Sequence, residues 1–484
     1  MKASFCRVMF GIAGLSLGLT GCNTEPHPSY SPGIKYGVRS DPILIGNAKD
    51  LGDEKKPIYD PDRPGTLPLM KISDFQQPDH PYYAKRKDLD HKILRDPLLL
   101  PTDKKKELED ALEGIFGTPA KPTVNAKEAG LDAEVTKQLQ LDDDKLAMGS
   151  TRYRIHCLHC HGVPGDGRGP TARWINPHPR DFRYGLFKFQ SVDQASDGKI
   201  RPPARADLLR TVRQGLEGTA MPSFNLLRDD ELEALVSYVI HLSLRGSVEV
   251  TAIKENFEFE NNALKWDQAG EHKNLKEAVK DYTATFAARW AQSNQDSAAI
   301  KVANYPYDDT AKDYAAKLKE SVHRGKAIFT GVPTAEFTKE ITDRILPKML
   351  KDATAAAQAE KKLSPKELAD VEAATKKQAD DKALSLITAA KCVSCHDNYG
   401  RQASYRFDSW GTLARPNNLV TGTLRGGKRP VDIYYRIHSG INGSGMTPFG
   451  KTYEGNEQYL WDVVNFVSVL PYPAMREKLG INID

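Results

Sequence analysis

The stretch CLHCH at residues 157–161 contains two cysteines, the second followed directly by a histidine. The same pattern recurs as CVSCH at residues 392–396. Cysteines at this spacing can form a redox-active dithiol, supply half of a structural zinc site, or attach a haem covalently. A redox dithiol is typical of a βαβ unit, and structural zinc needs further paired ligands. The sequence offers neither setting, so both patterns predict covalent haem.

Two such patterns predict two covalently bound haems c. The spacing suits this chemistry, because the two thiols can reach the two vinyl groups of the porphyrin while the adjacent histidine supplies the proximal iron ligand. The predicted attachment and proximal residues are Cys157, Cys160, His161, Cys392, Cys395 and His396.

A methionine follows each pattern within a loop rich in glycine and proline. The first lies in GTAMPSF at residues 218–224, and the second lies in GSGMTPFG at residues 443–450. Methionine often does no more than fill an apolar core. These two residues, however, occupy matching loops at matching places, and each loop precedes an apolar helix. Met221 and Met446 are therefore the predicted distal iron ligands.

The N-terminus resembles an export signal, with a basic start, an apolar stretch over residues 8–19 and the box LTGC at residues 19–22. The apolar stretch is too short to span a membrane, which takes about 20 residues. An ordinary signal peptide that happens to contain a cysteine is one interpretation. The box is similar to that of bacterial lipoproteins, so we expect removal of residues 1–21 and a lipid on Cys22. This would place the protein on the extracytoplasmic, periplasmic face of a membrane.

Length and composition limit the remaining classes of protein. The 484 residues suffice for about three domains, yet 39% of them are hydrophobic and 27% are charged. This composition predicts small cores separated by linkers or solvated helices. The 68 basic residues nearly balance the 64 acidic ones. No nucleic-acid partner is therefore expected.

Both halves of the chain resemble the class I cytochrome c domains of bacterial respiratory chains. In that family the first helix carries a glycine and, four residues later, an aromatic residue that packs against the last helix. Gly149, Tyr153 and Cys157 fit this pattern, with Tyr238 as the expected partner. The resemblance implies an all-α fold built around each haem.

The resemblance also implies contacts around each haem. Pro170 is expected to accept a hydrogen bond from the proximal histidine of the first haem through its carbonyl, and Pro416 is a weaker candidate at the second. The candidates for contact with the haem propionates are Arg180, Arg183 and Tyr184 at the first site, and Arg425 and Arg429 at the second. A surface role is an equal alternative for these residues.

The second half departs from the family pattern. Its glycine–aromatic pair is Gly325 with Phe329, yet the first haem cysteine follows only at Cys392. We interpret the additional residues as an insertion. In the alternative interpretation residues 383–390 form the first helix of this domain, but they lack the glycine–aromatic pair.

The insertion is expected to form two antiparallel helices. The alanine-, lysine- and glutamate-rich stretches at about 338–361 and 365–389 predict them, with a connection near Leu363. Ser364 begins a capping box for the second helix, with proline at the first helical position.

These features combine into one predicted organisation. Its parts are a signal at 1–21, an extended tether at 22–144 with a short helix near Thr102–Phe116, a cytochrome c domain at 145–247 with a last helix ending at Gly246, a helical interdomain segment at 248–320, and a second cytochrome c domain at 321–476 with an insert at about 333–391.

Histidine and methionine on both irons leave no open coordination position. The predicted function is therefore outer-sphere electron transfer and not catalysis. The resemblance implies respiratory redox partners, such as a quinol-oxidising complex as donor and a terminal oxidase as acceptor. Two alternatives remain open: an enzyme similar to di-haem peroxidases, which needs a vacant distal face at one haem, and a permanent subunit of a respiratory complex.

Overall fold

The computed structural model describes residues 29–45, 94–194, 200–267, 270–360, 363–410 and 413–483. The predicted signal at residues 1–21 and the predicted lipid site Cys22 lie outside these ranges. Within them the chain is mainly helical, as the sequence predicted. None of the described helices combines the length and the apolar character that crossing a membrane requires.

The helices vary widely in length, with the longest in the middle of the chain, and the strands in the described ranges form short antiparallel pairs. The helices are α1 Thr102–Phe116, α2 Ala126–Ala129, α3 Ala133–Gln138, α4 Asp143–His156, α5 Leu158–His161, α6 Arg205–Gln214, α7 Asp229–Asn256, α8 Leu275–Ser293, α9 Tyr314–Thr330, α10 Ala335–Glu360, α11 Pro365–Thr388, α12 Pro430–Ser439, α13 Gln458–Val469 and α14 Pro473–Leu479. The paired strands are β1 Ile43–Leu44 with β2 Leu94–Arg95, β3 Gly117–Thr118 with β4 Lys121–Pro122, β5 Phe257–Glu260 with β6 Ala263–Trp266, and β7 Arg406–Phe407 with β8 Leu413–Ala414.

Helices α4 and α7 cross at short distance in the centre of the first core. Gly149 permits this crossing, because a methyl group in its place would lie 2.2 Å from the carbonyl oxygen of Ala234. One turn later, the ring centres of Tyr153 and Tyr238 are 5.2 Å apart. Both tyrosines are fully buried. The predicted contact between the glycine–aromatic pair and Tyr238 is therefore confirmed.

Helix α7 is longer than the sequence indicated, since it continues past Gly246 to Asn256. Gly246 marks a contact and not a helix end, because a methyl group there would lie 2.3 Å from Cα of Arg183. The additional turns are stabilised by burial, and Val248 and Ile253 belong to the first core.

Most of the predicted interdomain segment packs in this same core. Helix α8 contributes Leu275, Val279 and Trp290, and the β5–β6 pair contributes Leu264. Up to the end of α8, these residues are therefore part of the first core and do not form a linker.

The predicted extended tether is likewise wrong for residues 97–141. Helix α1 has the predicted bounds, but its buried side chains Leu108 and Phe116 pack in the first core. Leu141, just before α4, is buried there as well. The proline-rich character that suggested a tether is concentrated before residue 94 and does not apply to these helices.

Helices α9 and α13 cross in the second core in the same way. A methyl group on Gly325 would lie 2.0 Å from the carbonyl oxygen of Asp462. The ring of Phe329 packs against Phe466, with ring centres 5.4 Å apart. The helix that carries the glycine–aromatic pair is therefore the one that crosses α13. This contact excludes residues 383–390 as the first helix of the second half.

The two helices predicted between α9 and the second cysteine pattern are present as α10 and α11, packed on each other. The hydroxyl of Thr342 in α10 donates to Asp380 in α11 at 2.7 Å. Ser364 caps α11: its backbone N–H donates to Glu367 at 2.8 Å, and its hydroxyl oxygen accepts from the Glu367 N–H at 3.3 Å. The predicted hairpin and its capping box are therefore confirmed.

Candidate cofactor sites

Helix α4 positions the first cysteine pattern. Cys157 ends the helix by donating its backbone N–H to the carbonyl of Tyr153 at 2.8 Å, and the next turn is α5. The N–H of His161 closes that turn on the carbonyl of Cys157 at 2.9 Å. Burial raises the pKa of the Cys157 thiol to about 12. The described cysteines are free of disulfides.

The imidazole of His161 is oriented by the backbone. Its Nδ1 lies 3.0 Å from the carbonyl oxygen of Arg180, which accepts a hydrogen bond from it. The ring also stacks on Phe182, with ring centres 4.6 Å apart. Burial lowers the pKa of His161 to about 4, so the ring is neutral at pH 7. With the proton on Nδ1, Nε2 is free to bind iron.

The hydrogen-bond acceptor for His161 is therefore Arg180, and the prediction of Pro170 was wrong. The loop at residues 165–170 turns back on the cysteine pattern instead, and the N–H of Gly167 donates to the backbone carbonyl of His161 at 2.9 Å. This loop satisfies carbonyl groups left unpaired by the short helix α5. The imidazole ring of His161 therefore finds its hydrogen-bond acceptor in a later segment, at Arg180.

A cavity of about 290 Å³ adjoins this turn, close to the lower end of ordinary ligand pockets, which is about 300 Å³. Its lining includes the four residues predicted for the first haem, which are Cys157, Cys160, His161 and Met221. Phe182, Phe187, Leu208, Leu235 and Val239 are among its apolar walls. Two thiols, a neutral imidazole and a thioether around an apolar space form the donor set of a c-type haem.

The charge in this cavity also suits a haem. Arg180, Lys188 and Arg425 line it. Burial lowers the pKa of Arg180 to about 10, that of Lys188 to about 8, and that of Arg425 as well. Lys188 is 3.3 Å from Asp408, whereas Nε of Arg425 has no hydrogen-bond partner among the described residues. Desolvated positive charge favours an anionic ligand, and haem propionates supply one.

Of the three propionate candidates at the first site, Arg180 lines the cavity. Arg183 instead forms a buried two-point ion pair with Asp41, with both N–O distances 2.8 Å. The hydroxyl of Tyr184 accepts a hydrogen bond from Arg39 at 3.3 Å. Arg183 and Tyr184 therefore fasten the N-terminal segment to the structure.

The candidates at the second site are also corrected. Arg425 lines the cavity of the first site, so its expected place at the second site is wrong. Arg429 donates to Asp432 at 2.8 Å, at the start of α12. The assignments were wrong because position along the chain does not show which of two packed halves a loop faces.

The two methionine loops are built alike. After α6, the N–H of Leu216 donates to the carbonyl of Met221 at 3.1 Å. After α12, the N–H of Ile441 donates to the carbonyl of Met446, also at 3.1 Å. Each loop then returns to its own helix through a phenylalanine. The backbone N–H of Phe224 donates to the carbonyl of Val212 at 3.2 Å, and that of Phe449 donates to the carbonyl of Ile437 at 3.0 Å.

The second cysteine pattern presents its histidine in the same way. Nδ1 of His396 lies 3.1 Å from the carbonyl oxygen of Asn417, and burial lowers the pKa of His396. Burial raises the pKa of Cys392 to about 12. The acceptor is Asn417 and not the predicted Pro416, which is its neighbour. Cys392 and Met446 both pack against the second core.

The two carbonyl acceptors could not be identified from side-chain patterns. Any residue can offer a backbone carbonyl, so Arg180 and Asn417 have no signature in the sequence. The contribution of Arg425 to the first site depends on how the two halves pack, which is a tertiary property.

Comparison with known proteins identifies the class of the region that contains the first site. A family model described as "Cytochrome C oxidase, cbb3-type, subunit III" matches residues 144–239. That range contains α4, the first cysteine pattern and Met221, and it ends within α7. The chain therefore contains a cytochrome c family domain, for which the cofactor is covalently bound haem c and the function is electron transfer.

Two other comparisons add little. A search of curated proteins gives no match. Among solved structures, the "Kuenenia stuttgartiensis reducing HAO-like protein complex Kustc0457/Kustc0458" is similar over 67% of this chain and 95% of that chain. The sequence identity is 18% and the TM-score is 0.36. A likeness at that level carries no argument about the function of this chain.

Proposed function

We propose that this chain is an exported, lipid-anchored di-haem c-type cytochrome that transfers electrons between respiratory redox proteins. The first haem is attached to Cys157 and Cys160, and the second to Cys392 and Cys395. Each iron has a histidine and a methionine as axial ligands. The ligand pairs are His161 with Met221 and His396 with Met446.

The observation that carries this proposal is the repetition of one arrangement in both halves. A glycine helix crossing, a cysteine pattern, a histidine bonded to a backbone carbonyl, and a methionine loop occur in the same order twice. Phe224 and Phe449 close the two loops through equivalent hydrogen bonds to the preceding helices. Because the family match covers the first set, the second set supports a second domain of the same kind.

The second domain consists of α9, α12 and α13, with the α10–α11 hairpin inserted between the first helix and the cysteine pattern. The insertion leaves the crossing of α9 and α13 intact, since Gly325 and Phe329 still contact α13. It therefore lengthens the chain between structural and attachment residues without changing the residues that hold the haem.

Haem, when bound, supplies a one-electron Fe(III)/Fe(II) couple. The protein fixes and insulates it. Burial keeps His161 neutral, the Arg180 carbonyl holds its ring with the proton on Nδ1, and apolar side chains wall the cavity. Arg425 and Lys188 line the cavity and would offer positive charge to the propionates of a bound haem. Ligation on both faces leaves no iron position for a substrate, so transfer is outer-sphere through an exposed haem edge.

The location follows from the lipoprotein-like box. With a lipid on Cys22, the protein would remain at the extracytoplasmic face of a membrane, where quinol-oxidising complexes and terminal oxidases exchange electrons. The nearly neutral net charge favours no strongly acidic or basic partner.

The number of haems is tested by haem absorbance in alkaline pyridine, related to protein concentration. We expect two haems per chain. The double variants Cys157→Ser/Cys160→Ser and Cys392→Ser/Cys395→Ser should each retain one. A wild-type protein with one haem, lost in the first double variant and kept in the second, would contradict the di-haem proposal.

The axial ligands are tested by redox titration of Met221→Ala and Met446→Ala. Each variant should show a lower potential for one haem, with covalent attachment intact, because thioether ligation raises the potential. Each should also lose part of the weak red absorption band of a methionine–ferric iron bond. An unchanged titration would refute that ligand. A high-spin ferric signal in the wild-type protein would instead favour a peroxidase-like enzyme.

The anchor is tested by Cys22→Ser, which should release the protein from membranes without changing its haem content. Continued membrane association of this variant would indicate binding to a membrane partner in place of a lipid. Gentle detergent extraction of the wild-type protein then separates a free carrier, which elutes as a monomer, from a permanent subunit, which co-purifies with its complex.

A further inference from the structure

A short segment of the second half lies against the proximal side of the first haem site. Asp408 in this segment is 3.3 Å from Lys188. Trp410 is buried, with 8% of its surface exposed. The guanidinium carbon of Arg180 lies 3.4 Å from the centre of the Trp410 ring, in the geometry of a cation–π contact. The indole N–H of Trp410 donates to the carbonyl of Asp181 at 3.2 Å.

Arg180 connects this tryptophan to the first iron site. Its backbone carbonyl accepts the hydrogen bond from Nδ1 of His161, the predicted proximal ligand. Its side chain covers the face of Trp410. One residue therefore contacts both the imidazole and the indole.

The Trp410 ring also lies against the methionine loop of the second site. A methyl group on Gly443 would lie 2.4 Å from ring carbons Cη2 and Cζ3, so the six-membered ring packs directly on the Gly443 backbone. The backbone N–H of Ser409 donates to the carbonyl of Gly443 at 2.8 Å. Gly443 belongs to the same tight loop as Met446, and that loop is closed by the bond between Ile441 and Met446.

The contact is fixed by the surrounding structure. The backbone N–H of Trp410 donates to Asp408 at 3.1 Å. Close by, the buried side chain of Asn442 donates to Gln190 in the first half at 2.7 Å. These groups hold the indole between the two sites in one orientation, because the buried polar groups would be costly to separate.

We propose that Trp410 is the bridge through which electrons pass between the two haem sites. This inference rests on the proposed presence of two haems. The route runs from His161 through Arg180 to the indole, and from the indole through Gly443 to the Met446 loop. With haem bound at both sites, each transfer would oxidise ferrous iron at one site to the ferric form and reduce ferric iron at the other site by the same single electron. No bond forms or breaks, no proton moves, and the indole itself is not oxidised.

Trp410 suits this role because of its ring and its position. The indole is polarisable and has two faces, and it contacts groups from both sites at once. A saturated side chain in the same place would fill the gap without the π system. The role is therefore one of positioning and electronic coupling, and it differs from ligation of either haem.

The test measures electron transfer between the haems by pulse radiolysis of the oxidised holoprotein, in a Met221→His background. This background should lower the potential of the first haem, so that electrons move on to the second. The red methionine–iron band then belongs to the second site alone, and its slow bleaching reports arrival of the electron. An intramolecular phase is recognised because its rate does not depend on protein concentration.

Trp410→Met fills the site with a flexible apolar side chain, and we expect the intramolecular rate to fall by roughly an order of magnitude. Trp410→Phe keeps an aromatic ring and should retain most of the rate. Trp174→Met is the matched control, because Trp174 is 67% exposed and should be neutral. Redox potentials and visible spectra should be unchanged in the Trp410 variants, which separates a coupling role from a merely structural one.

A wild-type transfer rate in Trp410→Met, with both haems present and both potentials unchanged, would overturn the inference. Equal losses of rate in the Met and Phe variants would overturn it as well. Trp410→Leu provides the same test if the Met variant does not hold both haems. A wild-type protein with a single haem would instead refute the proposed function, so the two failures are distinguishable.

Discussion

The two candidate haem sites share a scaffold, but opposite parts of the chain support them. At the first site, His241 in α7 lies 2.9 Å from the carbonyl of Phe116, and Asp41 pairs with Arg183. At the second site, His323 in α9 lies 2.9 Å from the carbonyl of Leu479. The side chain of Lys326 donates to the carbonyl of Asn482 at 2.7 Å. N-terminal segments therefore support the first site, and the C-terminal tail supports the second.

The two helix crossings differ in the polarity of their cores. Ala234 and Asp462 occupy corresponding places, since each offers its carbonyl to the glycine of the opposite helix. Asp462 is fully buried and lies 2.9 Å from Nε of Arg324. The hydroxyl of Ser321 also donates to it at 2.6 Å. The first crossing has an alanine there, so the second crossing alone contains an ion pair at this position.

This difference shows which parts of the arrangement the cofactor requires. The glycine crossing, the histidine–carbonyl bond and the methionine loop occur at both sites, as expected if each of them serves the proposed haem. The supporting segments and the buried charges vary, because many kinds of packing hold two helices together. The following predictions test this division.

The largest effects are expected at the shared feature, the two glycines. Gly149→Ala and Gly325→Ala should each lower the free energy of unfolding by about 3 kcal/mol or more, because the new methyl group meets a backbone carbonyl that cannot move aside. Chemical denaturation followed by circular dichroism measures this. Gly114→Ala is the control, because Gly114 lies in α1 with open space around it, and the change should stabilise slightly. If either variant is as stable as the wild-type protein, a close glycine crossing is not required at that site.

The second prediction concerns the feature found at one crossing only. Asp462→Ala leaves the guanidinium of Arg324 without its main partner and should cost about 3 kcal/mol of unfolding free energy. Glu320→Ala is the matched control, because Glu320 is 68% exposed and lies 4.0 Å from the same arginine. Its loss should have little effect. Equal costs for the two variants, measured by urea unfolding at neutral pH, would show that burial of the pair is unimportant.

The third prediction tests the N-terminal support through pH. Burial lowers the pKa of His241 to about 4. The hydrogen bonds from its ring to the carbonyls of Phe116 and Thr123 act in the opposite direction but are outweighed. The unfolded chain binds a proton near pH 6.5 and the folded chain only near pH 4. Stability should therefore fall as pH decreases through this window, by on the order of 2–3 kcal/mol. His241→Gln should lack this component. Parallel pH profiles of the wild-type protein and the variant would contradict the assignment.

The smallest expected effect concerns Arg425, a residue of the second half that lines the cavity of the first site. Arg425→Gln removes positive charge from the first cavity and should lower the potential of the first haem by some tens of millivolts, because the ferric form loses a repulsion. The second haem should be unaffected. Lys428→Gln is the control, because Lys428 is 51% exposed and is paired with Glu217. A change of potential confined to the second haem would show that Arg425 belongs to the second site, as the sequence predicted.

Much of the scaffold was predictable from local patterns. The glycine–aromatic spacing identified both crossing helices, and the capping box at Ser364 identified the start of α11. Gly246 was mistaken for a helix end, because a glycine required for contact with Arg183 is indistinguishable in sequence from one that ends a helix. Helices α1 and α8 were assigned to linkers because their polar faces concealed how much apolar surface they bury.

The sequence by itself determined the chemistry of this protein. Thiols, imidazoles and thioethers are side-chain properties, and the order of the residues that carry them is written along the chain. Only the tertiary structure decided which backbone carbonyls orient His161 and His396, and that Arg425 and Trp410 of the second half lie against the first site. The physical reason is that backbone acceptors have no residue type, and contacts between halves depend on packing over long sequence distances.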